Sequence, residues 1–93
     1  PVAAVPETEQ SKAERKARNR KVFDLKTQLT SLERQLEKYS AKRRTVEEQL
    51  HSVSDEQELE RLKEEHIALV EKLAGIEERW LALQQDLEKL EAS

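Results

Sequence analysis

The sequence predicts an all-α protein, a two-helix antiparallel coiled-coil hairpin, because two heptad seams mirror each other about one point. The first seam places apolar or near-apolar residues at alternating three- and four-residue steps: Val22, Leu25, Leu29, Leu32, Leu36, Tyr39, Arg43, Val46, Leu50 and Val53. The second has the same spacing: Leu59, Leu62, His66, Leu69, Leu73, Ile76, Trp80, Leu83, Leu87 and Leu90. Such steps keep one stripe of a helix facing a partner. If the chain reverses near Asp55 and Glu56, the two residue numbers in every layer sum to 112, from Val53 with Leu59 to Val22 with Leu90.

The composition indicates the same fold class. Of 93 residues, 40% are charged, and there are one glycine, two prolines and no cysteine, a profile typical of coiled coils. Two helices share one interface and enclose no cavity, so we expect no enzymatic activity in this chain. No thiolate metal site or disulfide is possible without cysteine. No apolar run approaches the roughly 20 residues that a membrane-spanning helix needs, so we expect no membrane partner.

The start of the chain predicts a linker and then a helix. Residues 1–10 hold both prolines and no seam residue, which indicates a flexible linker. Ser11 with Glu14 three residues later has the pattern of a capping box, in which each side chain binds the other's backbone N–H. We therefore expect the first helix over about residues 11–52. Because the chain begins at Pro1 without methionine, we expect it to be part of a longer protein.

The tip of the hairpin is predicted at about residues 53–55. The segment SDEQE between Val53 and Leu59 has no apolar residue, and Ser54 with Gln57 has the pattern of a second capping box. A second helix over about residues 55–92 follows, so that residues 11–93 form the hairpin domain.

A continuous helix of about 80 residues, dimerising in parallel, is the alternative architecture. The heptad phase argues against it. With Val53 at position d, an unbroken heptad would place the next a position at Gln57, but the second seam begins two residues later, at Leu59. The tip contains no glycine or proline, so this alternative stays open at the level of sequence.

Two seam positions are polar, Arg43 and His66, and the mirrored layers make them neighbours. Polar seam residues commonly fix the register of a coiled coil. A role for His66 as a metal ligand or base lacks a second histidine or cysteine at suitable spacing, so we predict a structural role, its charge offset by Glu47 or Glu65. The two aromatic residues of the seams are expected to pack: Tyr39 and Trp80.

Charge is unevenly distributed, at +4 over residues 1–54 and −7 over residues 55–93. Antiparallel helices bring e positions beside e and g beside g, so cross-helix ion pairs are expected. The candidates are Lys21 with Asp86, Lys26 with Glu91, Lys42 with Glu65, and Glu47 with Lys63. Exposed pairs contribute roughly 0–1 kcal/mol each, and they select orientation more than they stabilise.

A weaker apolar stripe follows the side of the second helix at Ile67, Val70, Ala74 and Leu81. Its three-, four- and seven-residue spacing places it on one face beside the seam. The stripe either broadens the core or forms a docking strip for another domain, and the sequence leaves both possibilities open.

The segment SKAERKARNRK, residues 11–21, is the candidate nucleic-acid site, and we call it the basic lead-in. Its six cations precede the strong part of the seam: Lys12, Arg15, Lys16, Arg18, Arg20 and Lys21. Such a cluster can neutralise phosphates in a salt-dependent, sequence-independent way. Phe23 lies off the seam just after it, where it could stack on a base or pack on a neighbouring domain.

The order of these features resembles a known family. The basic lead-in is followed by LTSLERQLEKY, a polar acidic tip, and IEERWLALQQDLEKL. Over about residues 11–91 this resembles the C-terminal coiled-coil domain of ABC-F ATPases of the Uup and YheS type. The most specific match is a tryptophan followed by a leucine heptad: Trp80, Leu83, Leu87 and Leu90.

The resemblance implies an accessory domain joined by a linker to the second ATP-binding cassette of a cytoplasmic bacterial protein that acts on ribosomes or translation. The cassettes would then be partners within the parent chain, and ATP and Mg would be the parent's cofactors. The chain has no glycine-rich phosphate loop, so we expect it to bind no cofactor itself. The resemblance also implies that the basic lead-in contacts nucleic acid, either ribosomal RNA or DNA. We expect the fragment to be monomeric.

Overall fold

The structure is a helical hairpin. A computed structural model describes residues 8–92 and contains two helices, α1 (Glu9–Ser52) and α2 (Glu56–Ala92), which pack against each other. The all-α hairpin is therefore confirmed, and the continuous helix is excluded by the break at residues 53–55. Residues 1–7, where most of the predicted linker falls, lie outside the described residues, as does Ser93.

Helix α1 begins two residues earlier than predicted, because Thr8 caps it. Thr8 has an extended backbone, and its Oγ1 accepts a hydrogen bond from the N–H of Ser11 at 3.0 Å. Ser11 is thus inside the first turn and does not form the predicted capping box with Glu14. The Glu14 carboxylate instead accepts a hydrogen bond from Gln10 Nε2 at 3.4 Å. The Thr8 hydroxyl lies about one turn before Ser11 and provides the N-cap. Helix α1 therefore includes residues 9 and 10, which the sequence assigns to the linker.

The tip reverses the chain without a glycine. Val53 is extended, and its N–H donates to the carbonyl of Gln49 at 3.0 Å, which ends α1. Asp55 is the cap of α2, because its Oδ2 accepts from the N–H of Glu58 at 3.0 Å and its carbonyl accepts from the N–H of Leu59 at 2.9 Å. The predicted cap at Ser54 is wrong by one residue, since a charged carboxylate suits the positive end of a helix better than a hydroxyl does. No residue among 8–92 has a positive φ.

The core consists of seam residues. Two buried clusters form along the helices, one near the open end with Leu25, Leu29, Leu83 and Leu87, and one near the tip with Val46, Leu62 and Leu69. The open-end cluster unites the predicted layers of Leu25 with Leu87 and of Leu29 with Leu83. Every buried residue in the described chain belongs to one of the two predicted seams. The mirrored register is therefore the register of the structure.

The polar seam residues share one carboxylate. Glu47 Oε1 lies 3.2 Å from Arg43 Nε and 3.3 Å from His66 Nε2, so it joins the two helices at this level. The Arg43 Nε atom is buried, and its N–H does not point at the carboxylate well enough for a hydrogen bond. The contact is thus an ion pair. The predicted partnership of His66 with Glu47 is confirmed, and a partnership with Glu65 is not formed.

Trp80 packs against the open-end cluster, as predicted. Its indole Nε1–H also donates to Glu33 Oε1 on α1 at 3.2 Å. This cross-helix hydrogen bond satisfies the polar edge of a ring whose body is packed in the seam.

Only one of the four predicted cross-helix ion pairs forms among the described residues. Lys26 Nζ lies 3.8 Å from Glu91 Oε1. The other three predictions are wrong, largely because partners within one helix are closer. Glu65 accepts from Arg61 at 3.2 Å, and Lys63 lies 3.7 Å from Glu60. Side chains three or four residues apart on one helix are neighbours, so they pair more readily than side chains that must reach across to the other helix.

Candidate nucleic-acid interface

The basic lead-in begins on a part of α1 that extends past the end of α2, and its last residues, from Arg18 to Lys21, lie beside the end of α2. The last layer joins Val22 to Leu90, so the residues of α1 before Arg18 have no seam partner on α2. Every described residue from 8 to 21 is exposed. From Glu9 to Lys21 the helix rises about 18 Å at 1.5 Å per residue. The hairpin therefore presents its most basic segment on an exposed stretch of helix, the first half of which has no neighbour on α2.

The helix brings some of the six predicted cations together and separates others. Lys12, Lys16 and Arg20 follow each other at four-residue steps, which places them in a line with a rise of about 6 Å per step. Arg15 lies beside that line. Lys12 Nζ is 3.9 Å from the exposed carboxylate of Glu9.

The remaining two cations of the lead-in point elsewhere. Arg18 lines a shallow groove with Lys26, Leu90 and Glu91. Lys21 lies beside Asp86 and Lys89, on a different side of the hairpin. The lead-in is thus basic around much of its circumference.

The apolar stripe on α2 is exposed. Ile67 is 58% exposed, Val70 43% and Leu81 53%, and Ala74 is exposed as well. The stripe therefore does not broaden the core, which leaves a docking surface as its candidate role. Phe23 is 69% exposed, which is compatible with either role considered for it.

Three lysines surround Tyr39, and the sequence analysis missed this cluster. Their ammonium nitrogens lie near the ring centroid, at 5.4 Å for Lys38, 5.3 Å for Lys42 and 4.9 Å for Lys72. These are cation–π distances. The heptad pattern predicts Glu65 as the partner of Lys42, and Lys72 lies on the other helix. The mirrored register could have predicted this cluster, because it pairs Tyr39 with Leu73 and so places Lys72 beside the ring.

At the start of α2, Arg61 bonds to two glutamates of its own helix. Arg61 Nε donates to Glu58 Oε2 at 3.1 Å, a second guanidinium nitrogen donates to the other oxygen of Glu58, and Nη1 donates to Glu65 Oε2 at 3.2 Å. The hydrogen bond from Arg61 lowers the pKa of Glu58, and the one to Glu58 raises the pKa of Arg61.

Comparison with known proteins does not assign a family. No family model matches the chain, and neither the curated proteins nor the solved structures provide a match. Within residues 8–92, no helix is long and apolar enough to cross a bilayer. The same residues contain no group of three or more histidine or acidic side chains arranged to hold a metal ion.

Proposed function

We propose that this chain is a non-catalytic accessory domain that contacts nucleic acid, either ribosomal RNA or DNA, through the basic lead-in. The observation that carries the proposal is the exposure of the whole segment, whose first half extends beyond the end of α2. Phosphates can approach Lys12, Lys16 and Arg20 along a line without displacing any packed residue. Binding of this kind releases counterions and weakens steeply with salt.

The proposal includes the family that the sequence resembles. The hairpin is then the C-terminal domain of a cytoplasmic ABC-F ATP-binding protein, with that protein's cassettes as neighbours and with ATP and Mg bound there. This assignment rests on the motif order and on Trp80 with its leucine heptad.

The test is a charge reversal in the basic lead-in. We expect Arg15→Glu, Arg18→Glu and Arg20→Glu together to lower the affinity for a labelled RNA hairpin and a labelled DNA duplex at least about tenfold, because attraction to phosphates becomes repulsion. Fluorescence anisotropy at several salt concentrations measures this. A matched control reverses three cations elsewhere: Lys26, Arg44 and Lys63. If the two variants bind alike, the lead-in is not the contact site.

A second candidate function, a structural hairpin that docks a protein helix, is favoured by the exposure of the apolar stripe. Glutamates border the stripe at Glu64, Glu71, Glu77 and Glu78. Charge complementarity therefore selects an amphipathic helix whose apolar side is flanked by lysine or arginine.

A synthetic helical peptide of leucine and lysine heptads tests the docking function. We expect Val70→Glu to weaken its binding at least about fivefold without loss of helicity, because a carboxylate would have to be buried. Gln28→Glu, on another side of the hairpin, adds the same charge as a control. Equal binding by both variants would exclude the stripe as a docking surface.

A further inference from the structure

The register divides the surface of the hairpin into two sides. In an antiparallel coiled coil the g positions of both helices border one side of the seam and the e positions border the other. On the g side, α1 contributes Lys21, Gln28, Gln35, Lys42 and Gln49, and α2 contributes Glu58, Glu65, Lys72, Arg79 and Asp86. The structure agrees with this division, since Gln28 and Arg79 line one groove and Lys42 and Glu65 line another.

The middle of the g side carries four cations and no carboxylate. We call this surface the Tyr39 face; it is made of Lys38, Lys42 and Lys72 around Tyr39, and of Arg79, seven residues after Lys72 on the same side of α2. None of the four has an aspartate or glutamate three or four residues away on its own helix. None forms an ion pair with another of the residues 8–92, in contrast to Lys26 and Lys63 on the opposite side.

The helix opposite supplies glutamines where an antiparallel coiled coil could supply acids. The register places Gln28 across from Arg79 and Gln35 across from Lys72. The acidic groups of this side lie toward its ends, where Asp86 is beside Lys21 and Glu65 is bonded to Arg61. The four central cations are therefore not neutralised by the fold.

Such an arrangement works against the fold. Lys38 and Lys42 are a like-charge pair at four-residue spacing, and Lys72 adds a third ammonium group near the same ring. The contacts with Tyr39 compensate only in part, because the three charges still repel one another. A polyanion bound on this face would remove the repulsion.

The surface of α2 between Lys72 and Arg79 has a gap where no side chain projects. Gly75 lies between them, and a Cβ placed there would meet nothing within 4 Å. Packing within the hairpin therefore does not require glycine at this position, although glycine weakens a helix. The absence of a side chain leaves room for a partner backbone to approach both cations.

We propose that the Tyr39 face binds the phosphate backbone of a double-stranded nucleic acid that lies along the hairpin. This inference rests on the proposed function and extends it. Lys21 continues the face toward the basic lead-in. Lys21 and Lys42, both at g positions, are about 32 Å apart along α1 at 1.5 Å per residue, and Lys72 and Arg79 of α2 lie on the same side between these levels, so the cations form a straight array. A stiff duplex with regular phosphates matches such an array.

The ring at the centre of the face favours a duplex over a single strand. Proteins that bind single strands commonly stack bases on exposed aromatic rings. Tyr39 is half-buried in the seam, and three ammonium groups occupy its surroundings. The face thus offers contacts to phosphates and no platform for bases.

The test neutralises the face and compares it with a matched surface. One variant carries Lys38→Gln, Lys42→Gln and Lys72→Gln. The control carries Lys26→Gln, Arg44→Gln and Lys63→Gln, the same change in charge on the opposite side. Each is titrated, beside the wild type, with a 30-base-pair DNA duplex, the matching RNA duplex and one single strand. Each lost phosphate contact lowers the slope of log affinity against log salt by about 0.9 for duplex DNA.

We expect the Tyr39-face variant to lose a slope of about 2 to 3 and at least tenfold in duplex affinity, with the control close to wild type. Circular dichroism confirms that both variants are helical. A Tyr39-face variant that binds duplex like the control overturns the inference, while the lead-in proposal is judged separately by its own reversal variant. Equal losses for duplex and single strand overturn the duplex assignment. Wild-type chain that binds neither duplex at low salt overturns both proposals. The DNA and RNA arms identify which duplex is preferred.

Discussion

The exposed ion pair of Arg61 with Glu58 at the start of α2 makes one small contribution to stability that depends on pH. Asp55 caps the helix, and Arg61 holds Glu58 in its charged form, so that the pKa of Glu58 is lowered in the folded state. A lowered pKa means that the folded state binds fewer protons than the unfolded chain. The contribution of the Arg61–Glu58 pair to stability is present above the ordinary glutamate pKa and is lost as the pH falls through the pKa of Glu58 in the folded state.

This sign predicts the behaviour of Arg61→Gln. The substitution removes the donor that lowers the pKa of Glu58, so we expect the variant to melt below the wild type at neutral pH by no more than about 3 °C. The gap should close as the pH falls through the acid range, because both proteins then carry a neutral Glu58. Thermal melts followed by circular dichroism from pH 7 to pH 3 measure it. Lys63→Gln controls for the loss of one cation, and a gap that widens in acid contradicts the assignment.

The helices as elements were predictable because their signal is repeated many times. Ten positions in each seam agree on one period, so a wrong assignment at Arg43 or His66 does not change the layer pairing. The caps depend on single side chains. Thr8 and Asp55 cap the two helices, where the sequence pattern predicted Ser11 and Ser54. Neighbouring side chains can each accept the capping hydrogen bond, and the sequence pattern fits either choice equally well.

The surface of the elements was less predictable than their core. The basic lead-in is a contiguous segment and could be read directly, whereas the Tyr39 face combines residues of both helices and needs the register to be seen. Most of the predicted cross-helix ion pairs were wrong for a related reason. Long flexible charged side chains can reach several partners, and Lys63 and Glu65 each pair within their own helix. The buried leucines have only one packing arrangement, so their positions were easier to predict.

At the scale of the whole molecule, the two sides of the hairpin hold their cations in opposite ways. Lys26 and Lys63 have carboxylate partners, whereas Lys38, Lys42 and Lys72 repel one another around Tyr39. Attraction and repulsion between exposed charges are both screened by salt, but screening changes stability with opposite signs. The arrangement of charges therefore has a consequence that can be measured without any nucleic acid.

We expect the two triple glutamine variants to respond oppositely to salt. Neutralising the Tyr39 face removes repulsion, so its melting temperature relative to wild type should be highest at low salt and fall by about 4 °C toward 0.5 M salt, since each like-charge pair costs about 0.2–0.5 kcal/mol. Neutralising Lys26, Arg44 and Lys63 removes attraction, so the relative melting temperature should rise with salt. Contacts of lysine with the ring shift the first curve as a whole and do not change its slope. Two curves with the same slope would mean that the cations around Tyr39 are no more strained than those with partners, and the electrostatic reason for a polyanion on that face would be lost.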